Sequence, residues 1–170
     1  MLLALTPAAA PAGVAPHVRP ESEVERRLLD ELTTRSATVR AFVDALDATD
    51  VVVYISHRMF TSSELEGRIG FLQSERRAGP MRYLVVELAC GRSRVDELVT
   101  LGHELRHAIE IANAPQVVDA RTLSAHYRRI GVRTSGPTEW ERFETRAAAD
   151  TSSEIRRELL ERARTTHDRD

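Results

Sequence analysis

An α+β fold is the architecture this sequence predicts: a small, mostly antiparallel sheet packed against a central helix, with further helices around it. Three observations predict it. Apolar residues at helical spacing dominate both ends of the chain, short β-branched runs fall between residues 51 and 88, and the two patterns do not alternate as βαβ units would. At 170 residues the chain makes one domain, large enough for a real core without staples.

Residues 1–19 stand apart from that domain. Met1-Leu-Leu-Ala-Leu-Thr-Pro-Ala-Ala-Ala-Pro-Ala is apolar and small, but no Arg precedes Arg19, so the basic start of a secretory signal is missing. The segment reads as a truncated signal peptide with a Pro/Ala/Gly linker, which favours a secreted or periplasmic protein. A disordered cytoplasmic tail is the other reading. Its apolar part is too short to span a bilayer.

From residue 20 the elements follow in order. Pro20 and the capping box Ser22-x-x-Glu25 start a helix whose apolar side is Val24, Leu28, Leu29 and Leu32. A second helix covers residues 37–48, with Val39, Phe42, Val43 and Leu46 on one side. Val51-Val-Val-Tyr-Ile55, bounded by Asp50 and Ser56, is a buried strand. Residues 67–72 and 82–88 read as a hairpin turning near Gly79-Pro80. Helices then occupy 94–112, 120–130 and 138–164.

Composition removes several kinds of chemistry. All 24 basic residues are Arg, so a P-loop lysine, a Schiff-base lysine and a Ser-Lys dyad are excluded. A net charge of −2 carries no basic excess for nucleic acid. Cys90 is alone, so no intrachain disulfide forms, and its place after an apolar run predicts a buried, inert thiol.

The informative stretch is His103-Glu104-Leu105-Arg106-His107. HExxH on a helix sets two imidazoles one turn apart, close enough to share one Zn²⁺, with a glutamate between them to handle a proton. At about 100° per residue, Val95, Leu98, Gly102, Leu105, Ala108, Ile109 and Ala112 cluster on one half of helix 94–112, and both imidazoles point the other way. Glu104 lies about a quarter-turn from the pair, placed to touch a water rather than the ion. Glu110 shares the histidine face one turn on and is expected as an ion-pair partner or as a support for a ligand.

A zinc site that does chemistry needs a third protein ligand and an open position. The long metzincin pattern is closed, because Glu110 and Asn113 stand where its Gly and His would be. His17 lies in the tail, His167 at the far end, and His57 and His126 outside any motif. On the last helix Thr138-x-x-Glu141 is a capping box, and Trp140, Ala147, Ala148, Ile155 and Leu159 form the apolar stripe. Glu144 falls within roughly 60° of every member of that stripe, a position a carboxylate holds only against a metal or an Arg. It is the expected third ligand, with Glu141 the runner-up. Tyr127 and His126 are the candidates for meeting a developing oxyanion, although Tyr127 also keeps core spacing with Ala120, Leu123 and Ile130.

His103-Glu104-Leu-Arg-His107 with a downstream Glu144 resembles the gluzincin class of zincin metallopeptidases, above all its small bacterial members, over roughly residues 50–160. The resemblance implies a zincin-like fold for residues 20–170, with His103, His107 and Glu144 on one Zn²⁺ and Glu104 as general base and acid. It also implies a peptide or protein substrate paired along an edge strand, for which 67–72 is the candidate. One departure matters. Gluzincins carry an Asp four residues after the ligand Glu to orient a ligand histidine, and here that position is Ala148. A zincin-like domain that binds metal or a partner without turnover is the alternative function.

Overall fold

The computed structural model describes residues 15–72, 80–133 and 143–167. In chain order the elements are β1 (Val18–Pro20), α1 (Glu23–Arg35), α2 (Ala37–Leu46), β2 (Val51–Arg58), β3 (Gly67–Phe71) and β4 (Arg82–Ala89). The chain then runs through α3 (Arg94–Ala112), α4 (Ala120–Ile130), β5 (Val132–Arg133), β6 (Phe143–Glu144) and α5 (Arg146–His167). The class is α+β. Among the described residues no helix is long and apolar enough to cross a membrane.

The main sheet has the order β1-β2-β4-β3 and is mixed, which corrects the expectation of a mostly antiparallel one. β1 pairs with β2 and β2 with β4 in parallel; only the hairpin partners β3 and β4 run antiparallel. The cause is connectivity. α1 and α2 form a crossover between β1 and β2, and a chain that crosses over in this way returns in the same direction. The run Val51–Val53 is buried on both faces, with each residue at most 1% exposed, which is the signature of a parallel strand. β4 alternates instead: Leu84, Val86 and Leu88 enter the core, while Tyr83, Val85 and Glu87 take the other face.

The ordered chain begins earlier than residue 20. β1 registers Val18 against Val53, and His17, expected in the tail, is buried with its ring Nδ1 3.0 Å from the Leu46 carbonyl. Ser22 caps α1 by accepting from the Val24 amide, and Glu25 turns inward while Val24 is 60% exposed. Cys90 sits on the surface rather than buried, because Gly91, at φ 78°, turns the chain out of the sheet there.

α3 is the central helix. Ser93 caps its start by accepting from the Asp96 amide. Arg82 closes its far end, donating to the carbonyls of Ile111, Ala112, Ala114 and Val117 and pairing with Asp50. Leu98, Leu101, Leu105, Ala108 and Ile111 are fully buried, and burial of each leucine or isoleucine contributes about 1.5–3 kcal/mol. The burial wraps further round α3 than a single stripe, although Val95 is partly exposed. α5 packs across α3 where Gly102 faces Ile155; a Cβ at Gly102 would collide with that side chain. Ala148, Ile155 and Leu159 form the inward stripe of α5, as expected.

Candidate metal centre

α3 presents His103 and His107 to a cleft closed by the edge strand β3, by α4, and by the β6–α5 junction. The cleft has a volume of about 1160 Å³, and both histidines, Glu104, Tyr127 and Glu144 line it. The two imidazoles lie edge to face with centroids 4.8 Å apart, as one helical turn requires.

Glu144 arrives by a route other than the one its helical spacing suggested. It stands in β6, before α5 begins at Arg146, so it belongs to no helical stripe. β6 pairs with β5, setting Glu144 opposite Val132. Gly131, which ends α4, lets that strand pass close: a Cβ there would lie 3.1 Å from Phe143 Cβ and 3.2 Å from the Glu144 carbonyl. The proposed capping box at Thr138 and the runner-up ligand Glu141 lie outside the described residues. α5 is started instead by Thr145, whose hydroxyl accepts from the Ala148 amide at 3.1 Å.

His103, His107 and Glu144 come together. One ligand atom from each lies within 4.8 Å of the others, a grouping that could hold a metal ion. His103 Nε2 is 3.4 Å from Glu144 Oε2, while Glu144 Oε1 is buried with no hydrogen-bond partner. A buried carboxylate oxygen left unpaired costs on the order of 1–3 kcal/mol, a cost that a bound cation would relieve.

The far side of each imidazole is held. Glu110 Oε2 accepts from His107 Nδ1 at 2.8 Å, and Glu110 Oε1 accepts from the Thr145 hydroxyl at 2.7 Å. His103 Nδ1 donates to Ser152 Oγ at 2.9 Å, and that hydroxyl donates onward to the Ala148 carbonyl at 3.2 Å. These bonds hold both rings in place although position 148 carries an Ala rather than an Asp. Glu110 was legible from its i+3 spacing to His107, whereas Ser152 and Thr145 carry no signal of their own in the sequence.

Burial and neighbouring charges shift the groups around the two histidines. Glu104, 6% exposed, is pushed up to about 7 by desolvation, with the charge of Glu144 adding and that of His107 opposing. Desolvation and the neighbouring His107 bring His103 down to about 4. At His107 desolvation is outweighed by the bond to Glu110 and the charges of Glu104 and Glu110, and its pKa rises. Glu144 is raised, chiefly by burial. Glu110 is lowered, because the bonds from His107 and Thr145 overcome its burial.

The two candidate electrophiles separate. Tyr127 is a core residue, 8% exposed, whose ring meets the His107 ring edge to face at 5.2 Å. Its hydroxyl lies 3.4 Å from the His107 carbonyl, and desolvation and the charge of Glu110 raise its pKa. His126 does not line the cleft; its ring meets Arg129 at 3.1 Å. His57 lies in a separate cluster with Glu25 and Glu97.

No protein-family model matches this chain, and neither curated proteins nor solved structures give a match.

Proposed function

We propose that this protein is a zinc-dependent peptide hydrolase with a zincin-like arrangement, in which His103, His107 and Glu144 hold one Zn²⁺ and Glu104 carries the proton. The observation that carries the reading is the convergence of two imidazoles and one carboxylate within 4.8 Å, one carboxylate oxygen being buried and unpartnered. Two nitrogens and one oxygen with a cleft on the open side fit zinc: the donor types are right, and a fourth position remains for a small molecule. The chemistry such an ion supplies is polarisation of a carbonyl and acidification of water.

The protein's own groups do the rest. Glu104, buried beside the two histidines, takes a proton from the attacking water and returns it to the leaving amine. β3 supports an extended substrate. It is the outer strand of the sheet, and its free edge borders the same cleft through Gly67, Arg68 and Ile69. Tyr127 packs the His107 ring and serves as wall rather than as a group that meets the substrate.

The test is a zinc-loaded protein on a mixed peptide library, beside Glu104→Gln. Cleavage is expected in the wild type and is expected to fall about 10²- to 10⁴-fold in the variant at equal zinc content. Undiminished cleavage by Glu104→Gln would contradict the mechanism. Zinc bound without cleavage of any peptide would point to a metal- or partner-binding domain instead.

A further inference from the structure

Glu110 sits at i+3 from His107, and an acidic residue there has an obvious alternative partner in Arg106. Arg106 does pair with it, but as an ion pair without a hydrogen bond. Arg106 Nε is 3.8 Å from Glu110 Oε1, beyond hydrogen-bond range, and is itself buried without a hydrogen-bond partner. Both carboxylate oxygens are committed elsewhere, one to His107 Nδ1 at 2.8 Å and the other to Thr145 Oγ1 at 2.7 Å.

Two groups set the directions in this chain, the Ala148 amide at one end and the Glu110 carboxylate beside His107. The Ala148 amide can only donate, so the Thr145 hydroxyl accepts there and uses its single proton toward Glu110. Ionised Glu110 can only accept, so Nδ1 of His107 must carry a hydrogen. Nε2 is then the lone-pair nitrogen. Thr145 is also the residue directly after Glu144, so the strand that delivers the carboxylate delivers the hydroxyl that orders the opposite histidine. His103 is held by a neutral relay instead, its Nδ1 donating to the Ser152 hydroxyl, which donates onward to the Ala148 carbonyl.

We propose that Glu110 and Thr145 are positioning residues that lock His107 in its Nδ1–H tautomer, so that docking of the Glu144 strand and readiness of His107 to bind metal are a single event. The metal half of this statement rests on the zinc reading above; the tautomer half does not. Partners of this kind set ligand orientation and basicity, and losing one typically lowers metal affinity about 10- to 100-fold.

The experiment uses the full chain labelled with ¹⁵N-histidine. Spectra of the chelator-treated protein, at a pH high enough to leave the rings neutral, report the tautomer of each ring, and zinc affinity is measured by competition with a chromophoric chelator. His107 is expected as the Nδ1–H tautomer in the wild type, in Thr145→Ser and in Thr145→Val, where the Glu110 carboxylate still accepts from it, and as a tautomer mixture in Glu110→Gln. His103 is expected to keep its tautomer in all four, which separates loss of the lock from general misfolding. Zinc affinity is expected to fall about 10- to 100-fold in Thr145→Val and Glu110→Gln and to stay within about threefold in Thr145→Ser. An Nε2–H tautomer at His107 in the wild type, or wild-type affinity in Thr145→Val, overturns the proposal. A wild type that takes up no zinc but keeps the Nδ1–H tautomer upholds the lock and sinks the zinc reading.

Discussion

Two clusters of histidine and glutamate lean on α3, and they are built to opposite plans. Near the start of the helix, His57 on β2 donates both its backbone amide and Nδ1 to Glu25 Oε1, at 3.1 and 2.7 Å. The Ser22 hydroxyl closes on the other oxygen of Glu25, and Glu97 lies 3.6 Å from His57 Nε2. Two turns further along, His103, His107 and Glu144 converge with one carboxylate oxygen unpaired. Burial works upward on both carboxylates. At Glu25 the bonds from Ser22 and His57 overcome it and the pKa falls; at Glu144 the charge of His107 and a bond from the Thr145 backbone do not, and the pKa rises. Buried His and Glu are therefore no sign of a site in themselves. What sets the second cluster apart is a carboxylate oxygen left without a hydrogen-bond partner beside two imidazoles.

Substitution at the two clusters is the strongest way to break this comparison. His107→Ala and Glu144→Ala are expected to lower zinc affinity more than about 100-fold, and His57→Ala to leave it within about threefold, by chelator competition. Stability should move the other way. Glu25→Ala leaves the half-buried His57 imidazole and its backbone amide without their acceptor, and is expected to cost about 1–3 kcal/mol in urea unfolding. Glu144→Ala, measured in chelator, removes an oxygen that nothing satisfies and is expected to cost nothing or to stabilise. Equal losses at Glu25 and Glu144 would show both clusters to be structural.

Glu104 sharpens the same contrast through pH. Its folded pKa of about 7 lies above the ordinary 4.5, so the folded state holds the proton more tightly than the unfolded chain. That contribution to stability is fully present below about pH 4.5 and is lost as pH rises through 7. A gap of that size amounts to about 3 kcal/mol. In chelator, Glu104→Gln is expected to match the wild type near pH 4.5 and to exceed it by about 3 kcal/mol near pH 8. Parallel stability curves for the two proteins would mean that Glu104 titrates in the ordinary range.

How much of this was legible in the sequence differs between the two halves of the molecule. The helices α1 to α4 and the hairpin strands were legible because period and capping agree locally, as at Ser22 and at the apolar positions of α2. Parallel pairing was less visible: Val51–Val53 carries the apolar run of a strand covered on both faces, but three residues of β1 give no pattern to pair it with. His103, Glu104 and His107 were legible because one helical turn fixes their spacing. Glu144 does lie beside the two histidines, but not through the helical stripe that singled it out, since its helix starts later and a two-residue strand presents it. Ser152 and Thr145 were hidden, because a hydroxyl's role depends on what a distant element sets beside it.

The open cluster also needs an approach, and one strand offers a matched pair of glycines to test that. A Cβ at Gly67 would lie 2.5 Å from Thr100 Cγ2, 3.3 Å from Glu104 Oε1 and 3.4 Å from the Glu87 carbonyl; at Gly70 nothing lies within 4 Å. Thr100 is β-branched on a helix and stiff at χ1, so its methyl cannot swing aside cheaply, and β3 would have to move outward. Gly67→Ala is expected to cost about 1–2 kcal/mol, to reduce peptide cleavage by moving the edge strand away from Glu104, and to leave zinc affinity unchanged, since no metal ligand is touched. Gly70→Ala is expected to stay within about 0.5 kcal/mol of wild type in the same unfolding measurement. If both substitutions behave alike, the close passage of β3 past α3 has no bearing on the cleft, and the edge strand loses its claim to the substrate.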